Sequence, residues 1–589
     1  MMSRVVEHTL GISTASEPAD SMAGDVSDGC VIVEQRPNIA IAAFVGIVAV
    51  LVAAFEFPPL LDYPNHYARM WLLAGGITEQ PFQQIYAIDW SRTFTNAGID
   101  LLAYYLGPLI GVSFLARILL FLAIVSPPLG AIALHRRLFQ GAFYWQVAIL
   151  YFAWCATLIG GFINFQIGLG MALFFATVDH ALQPGSQTAL LLWRIAAGLL
   201  LTIMHIFSLG FYIALLCGLE LSSTLEPLAP RNIVRLCVRL AIGILACVLP
   251  AVCLFIYAPV LPNSGDAGFG AIWNNSPTLI LANLMSAMWT YVSMVDALFL
   301  IPLVLICTNA LRTRRLRLHC GLGVTVVGLV ILSCVSPLHI MGTGWISWRF
   351  PIMAALGAMA MICPLPQLPR REALMLVAVL SCVVFGRTVW VGFNWWCGQA
   401  DVANIRAVLA AIPKGSAILP VAHEPRDIPT GTAHRHFAWN ENTFRHLPTL
   451  AVPFAHSFVP TLFTAKGKQP LAVLPPWTNI AVPEGNLLSV SVLDCPDLVE
   501  SFSAFTPYLI DWRRRFDFVL VVNADLPDRY SGDRVPAGLK VVSDTPFAKL
   551  YAIDKRFISS SRATPQKNAR QNEAIQYRKR PERDRCHRS

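Results

Sequence analysis

The sequence predicts a polytopic α-helical membrane protein of about eleven transmembrane helices, with an extracytoplasmic α/β domain at its C-terminal end. Three observations predict it. Of 589 residues, 55% are hydrophobic and only 13% charged, with a mean hydropathy of +0.56; a soluble globular chain carries about 25% charged residues. Apolar runs long enough to cross a bilayer recur from residue 39 to about residue 397. Beyond Cys397 they give way to short apolar stretches between turn residues, the pattern of buried strands.

Residues 1–38 are polar, with acids at Glu7, Glu17, Asp20, Asp25, Asp28 and Glu34. They lack the basic start and cleavage site of a signal peptide and read as a cytoplasmic leader. A first span follows at about 39–57, and Pro58-Pro59 stops it, because proline has no amide donor and restricts the residue before it. Asp62 then stands at the start of a new helix whose first turn tolerates Pro64. His66 and Arg69 lie four and seven residues on, so the three share one helical face. The first outer loop extends from 58 to 114. Glu79, Gln80, Asp89, Arg92, Asn96 and Asp100 are too polar for a lipid-facing span, and Leu101–Val112 is too short for one, so it reads as a helix along the membrane surface.

Further spans are predicted at about 115–134, 143–158, 162–180, 188–204, 206–222, 240–258, 294–310, 320–336, 350–365 and 373–396. Four basic clusters punctuate them: Arg136-Arg137, Arg231/Arg235/Arg239, Arg312/Arg314/Arg315/Arg317 and Arg370-Arg371. The positive-inside rule puts all four in the cytoplasm. The N-terminus is then cytoplasmic, and the Asp62 loop, His205, the 259–293 loop, Ser336–Arg349 and everything after Cys397 face outward. This is the topology of a multi-pass protein of the inner or plasma membrane.

The region 398–555 reads as the α/β domain: a helix at Gln399–Ile412, then strands at Ala417–Val421, Phe516–Val522, Leu539–Val542 and Phe547–Ile553. Most of the fourteen cysteines lie in apolar runs as small hydrophobes. Cys397 and Cys495 share the outer compartment, where a disulfide between them is open. Residues 556–589 hold ten Lys/Arg against three Asp/Glu, so this basic, disordered tail carries +7 of the net +9.

Candidate chemistry gathers on the outer face. Asp62 reads either as a helix cap or, in an interfacial ionisable cluster, as a catalytic carboxylate beside His66. Arg69, Asp89, His205, His339 and Arg349 are the substrate-binding candidates, with Asp266 in the Asn263–Asn275 loop. Arg349 is an interfacial anchor or a forked donor for phosphate oxygens; His205 is a satisfied helix-end histidine or a site residue. No Walker A or dinucleotide glycine motif is present, which argues against a nucleotide-driven pump, and CxxC and HExxH zinc motifs are absent.

The order of parts resembles the GT-C class of membrane glycosyltransferases, which use polyprenyl-phosphate-linked sugars. The matching pieces are Leu61-Asp62-Tyr63-Pro64-Asn65-His66 just after the first span, the surface segment Leu101–Val112 with Arg117, His135-Arg136-Arg137-Leu138, and the Phe516–Val522 strand. The resemblance implies an outer-face transferase. Its partners would be a polyprenyl-phosphate sugar donor, membrane lipid and an envelope glycan, lipid or protein acceptor, with no nucleic acid. Asp62 would be the base, and Arg349 and Arg69 the phosphate ligands. Asp62 has no adjacent second carboxylate, so the participation of a divalent metal, the one cofactor in question, stays open. The competing readings are a polytopic transporter or flippase for a lipid-linked or small-molecule substrate, and a non-catalytic membrane assembly protein.

Overall fold

The computed structural model describes residues 29–222, 230–261, 271–273, 276–340, 343–365, 368–438, 441–503, 506–532 and 534–556. Most of the leader, Asp266 and the tail from 557 onward lie outside the described residues.

Helices dominate. The principal ones are α1 (Gly29–Ala54), α2 (Tyr63–Leu73), α3 (Gly98–Ile110), α4 (Val112–Phe139), α5 (Ile163–Leu182), α6 (Gln187–Met204), α7 (Ile206–Ser222), α8 (Pro230–Tyr257), α9 (Ser293–Arg312), α10 (Cys320–Val335), α11 (Ile346–Met361) and α12 (Arg370–Leu409). Among the described residues, seven helices are long and apolar enough to cross a membrane: Arg36–Ala54 within α1, α4, α5, α6, Ile233–Tyr257 within α8, α9 and α12. Four of the eleven predicted spans correspond to shorter apolar helices. α7 has 17 residues, and α10 and α11 have 16 each, about 24–26 Å of helix against a hydrocarbon core of about 30 Å. The segment 143–158 is broken instead: a helix at Trp145–Ile149, a 3₁₀ turn at Leu150–Ala153, then Ala156–Ile159, with Trp154 and Cys155 in extended conformations between them.

Two sets of charges inside the helical bundle are paired, as burial away from water favours. Arg194 on α6 donates to Asp179 on α5 at 2.7 Å and to Glu220 on α7 at 2.9 Å. Arg387 on α12, fully buried, meets Asp296 on α9 at 3.1 Å and lies 3.8 Å over the Tyr151 ring. α3 buries Ile99, Asp100, Ala103 and Gly107 and exposes Tyr105 and Leu109, a one-sided apolar helix.

The expected break between a last span at 373–396 and a separate helix at 399–412 does not occur. α12 runs unbroken for 40 residues, because a change in hydropathy carries no backbone signal and no proline interrupts it. Seven strands matter for the site: β1 (Tyr86–Ile88), β2 (Ile418–Ala422), β3 (Leu471–Val473), β4 (Leu488–Ser489), β5 (Phe518–Val522), β6 (Leu539–Asp544) and β7 (Ala548–Ile553). Five form one sheet in the order β4-β2-β5-β7-β6, parallel across β4, β2 and β5 and antiparallel onward. All five residues of β2 are buried, which accounts for its continuous apolar run. Cys495 is disulfide-bonded, but not to Cys397, which is free.

Several attachments join this C-terminal region to the rest of the chain, two of them at well-separated places. Arg435 grips Asp401 of α12 with two bonds of 2.7 and 2.8 Å and binds Asp525 with two more. β1, in the first loop, pairs antiparallel with β3. The first loop is therefore sewn to residues nearly four hundred positions later.

Candidate functional site

A cavity of about 1100 Å³ opens where these parts meet. Its walls come from the start of α2, from Arg92, Thr95 and Asn96 of the first loop, from Leu279 and Asn283, from the helix starts and the loops before them at 162–165, 205–207 and 338–349, and from segments 441–446 and 463–486 of the C-terminal region. Asp62, His66, His205, His339 and Arg349 all line it. Arg69 and Asp89 do not.

Asp62 occupies the N-cap position of α2, yet its side chain makes no capping hydrogen bond. The backbone there is held from outside: Leu61 and Asp62 donate their amides to the Ile159 and Gly160 carbonyls at 2.9 and 3.2 Å. Gly161 makes the approach feasible. It sits at φ +83°, and a Cβ there would lie 2.7 Å from the Asp62 amide nitrogen. The carboxylate is left facing the cavity, 3.5 Å from His446 Nε2. Burial pushes the Asp62 carboxyl up to about 7 and Glu484 adds to it, while Arg445, Lys468 and Arg69 pull it down.

His446 is buried, and its protonation is fixed by neighbours. Asn65 accepts the Phe463 amide at 2.8 Å through its Oδ1, so its Nδ2 donates to the Thr461 carbonyl at 2.9 Å and to His446 Nδ1 at 3.2 Å. With Nδ1 accepting, the proton of the neutral ring is on Nε2, toward Asp62. Burial first, and Arg445 second, hold His446 down at about 3, so it is neutral near pH 7.

His66 accepts from Arg69 Nη2 at 3.2 Å through Nδ1, and its ring lies edge-on to Phe463, 5.5 Å between centroids. Burial, then Arg69 and His446, keep it well below the ordinary histidine range. Arg69 is spent on Asp100, 2.8 Å away with both side chains fully buried. It orients His66 from behind the cavity wall. Asp89 is exposed and caps a 3₁₀ turn, accepting from the Ser91 amide at 3.0 Å and the Ser91 hydroxyl at 2.6 Å.

Arg349, in the first turn of α11, is buried among Phe207, Phe162 and Phe165 at 4.9, 5.0 and 5.9 Å from their ring centres. Its Nε and Nη1 have no hydrogen-bond partner, and among the described residues it makes no ion pair. A buried guanidinium with two idle donors fits a planar or phosphate-like anion. His205 closes the same end: its Nδ1 accepts from the Phe207 amide at 3.2 Å, and its ring packs on Phe165 and Phe207. His339 lines the wall with Nδ1 unbonded.

Sequence reasoning missed Asn65, Arg92, Glu441, Arg445, His446, Lys466, Lys468 and Glu484, all but Asn65 lining the cavity. With Asp62 and Arg349 the ionisable walls hold five Lys/Arg against three Asp/Glu, an excess of two positive charges. Among the described residues no group of three or more His, Cys, Asp or Glu side chains is placed to hold a metal ion. No protein-family model and no curated protein matches the chain.

Proposed function

We propose that this protein is a membrane glycosyltransferase of GT-C type, moving a sugar from a polyprenyl-phosphate-linked donor to an acceptor at the extracytoplasmic face. One observation carries the reading: a half-buried carboxylate unused as a cap and a buried arginine with idle donors line the same cavity beside the membrane helices. In the reaction, the acceptor hydroxyl oxygen attacks the anomeric carbon and its proton passes to Asp62. The bond from that carbon to the phosphate oxygen breaks, and the electron pair leaves with the phosphate, held by Arg349. A base that titrates near neutrality is well matched to this task, and a preorganised guanidinium stabilises the departing charge. The excess positive charge of the walls suits an anionic lipid donor.

The finer topology belongs to this reading. Eleven spans, with α7, α10, α11 and the broken 143–158 segment completing the set, keep the four basic clusters in the cytoplasm. The Asp62 loop and the α/β domain of 398–555 then lie outside, and the cavity opens at the outer membrane surface.

The test is incubation of the purified protein in lipid vesicles with a pool of radiolabelled polyprenyl-phosphate sugars and envelope acceptors. Label is expected to move to an acceptor in the wild type and not in Asp62→Asn. Movement of intact labelled lipid between leaflets without transfer would replace the transferase with a flippase.

A further inference from the structure

The carboxylate and the histidine that face each other in the cavity come from opposite ends of the chain, and nothing in the local sequence of either points to the other. Asp62 Oδ1 and His446 Nε2 stand 3.5 Å apart, with side-chain exposures of 16% and 4%. His446 is not simply lodged there. Asn65, three residues along α2 from Asp62, holds its Nδ1, and Asn65 is itself fixed by the Phe463 amide and the Thr461 carbonyl. The Phe463 ring packs edge-on against both His446 and His66, at 5.0 and 5.5 Å. Hydrogen bonds thus run from the Phe463 amide through Asn65 to His446, fixing its tautomer, and His446 Nε2 then stands 3.5 Å from Asp62.

We propose that His446 is the positioning residue for Asp62, keeping a hydrogen-bond donor on the carboxylate so that its ionised form is oriented and available near neutral pH. This deepens the transferase reading, on which it rests only for the word base. The proton from the acceptor goes to Asp62; His446 keeps its own throughout. Asp62 is also faced by Glu484, Arg445, Lys468, Arg69 and Arg349, and His446 by Arg445 and His66. Glu441 binds Arg445 and Glu484 binds Lys468, so two of those cations are already neutralised in pairs. His446 is the neutral ring whose proton-bearing Nε2 lies 3.5 Å from the carboxylate.

Side-chain length supplies the test. Glutamine at 446 places an amide nitrogen close to the Nε2 position and retains a donor toward Asp62. Asparagine places its amide near Nδ1, keeps a polar contact with Asn65 and cannot reach Asp62. The readout is labelling of Asp62 by dicyclohexylcarbodiimide, which reacts with the protonated carboxyl, followed by peptide mass spectrometry across pH 5 to 9 on protein in lipid vesicles. In the wild type labelling falls with a midpoint near pH 7. For His446→Asn the midpoint is expected to rise by about one pH unit, since the donor that favours the charged form is gone. His446→Gln is expected to return it to the wild-type position. His446→Leu, close in volume and without a donor, is the second variant should Asn disturb folding, and it too moves the midpoint up. Coincident midpoints in wild type, His446→Asn and His446→Leu would overturn the role of His446, as would a shift that His446→Gln fails to reverse. Labelling needs no turnover: a midpoint that moves as expected in a protein without transfer supports the pair and removes the transferase.

Discussion

Replacing Asp62 by asparagine separates chemistry from architecture, and the structure gives the expected size of each effect. The side chain caps nothing, so the substitution sacrifices no helix-capping bond. In the folded protein the Asp62 carboxyl titrates at about 7 against an ordinary 3.8. A folded value raised above the unfolded one means that folding favours the protonated form. The contribution to stability is therefore fully present below about pH 3.8 and is lost as pH rises to about 7. The difference is about three pH units, which at 1.36 kcal/mol each makes about 4 kcal/mol that the ionised carboxylate costs the fold above pH 7. Asparagine, neutral at every pH, escapes it. Thermal unfolding in detergent should show Asp62→Asn equal to wild type near pH 4 and more stable at pH 8, by at most about 4 kcal/mol. Turnover should move the other way, falling by about 10²-fold or more, because the amide cannot take a proton. The wild-type rate should climb about tenfold per pH unit below pH 7 and level off above it. Retained turnover in the asparagine variant, or a loss of stability at pH 8, would refute this account of Asp62.

Three further outcomes follow from the same geometry. Arg349→Lys keeps the charge and loses the fork, so initial rates should show the donor KM raised about tenfold or more, with a smaller change in kcat. Arg69→Met strands Asp100 in the interior and should destabilise the protein by about 3–5 kcal/mol, most of it recovered in the double variant with Asp100→Leu, as measured by thermal unfolding of the single and double variants. Asp89→Ala should leave turnover within about twofold and cost about 1 kcal/mol or less, the loss of an exposed cap.

How much could be read in advance differs by element. The membrane class and the helix that starts at Asp62 were readable because hydropathy and proline act locally: Phe55 ends a run, Pro58-Pro59 breaks it, and Tyr63–Leu73 follows. Asp62, His66, His205, His339 and Arg349 could be nominated as ionisable or forked residues at helix ends, and the fold gathers those five around one cavity. Arg69 could be nominated too, but only packing shows that Asp100 absorbs its charge. His446, Arg445, Lys468 and Glu484 had no such signal. They lie in loops of mixed composition, and what makes them site residues is a contact across nearly four hundred positions, through Asn65 and the pairing of β1 with β3. A long-range pairing of this kind leaves no periodicity in a single chain. The one useful hint was composition: histidines at 434, 436, 446 and 456 crowd a stretch that otherwise resembles ordinary loop.

The separate attachments of the C-terminal region bear on how it can move. A domain held by one linker swings by default. This region is pinned at Asp401 by Arg435 and again, at a separate place, by the β1–β3 ladder. Ties at two separate places oppose rotation about either one, and the cavity lies between the start of α2 and loops of the region so held. A region tied at two places is restrained from swinging as a lid, so a ligand entering the cavity meets walls already in place.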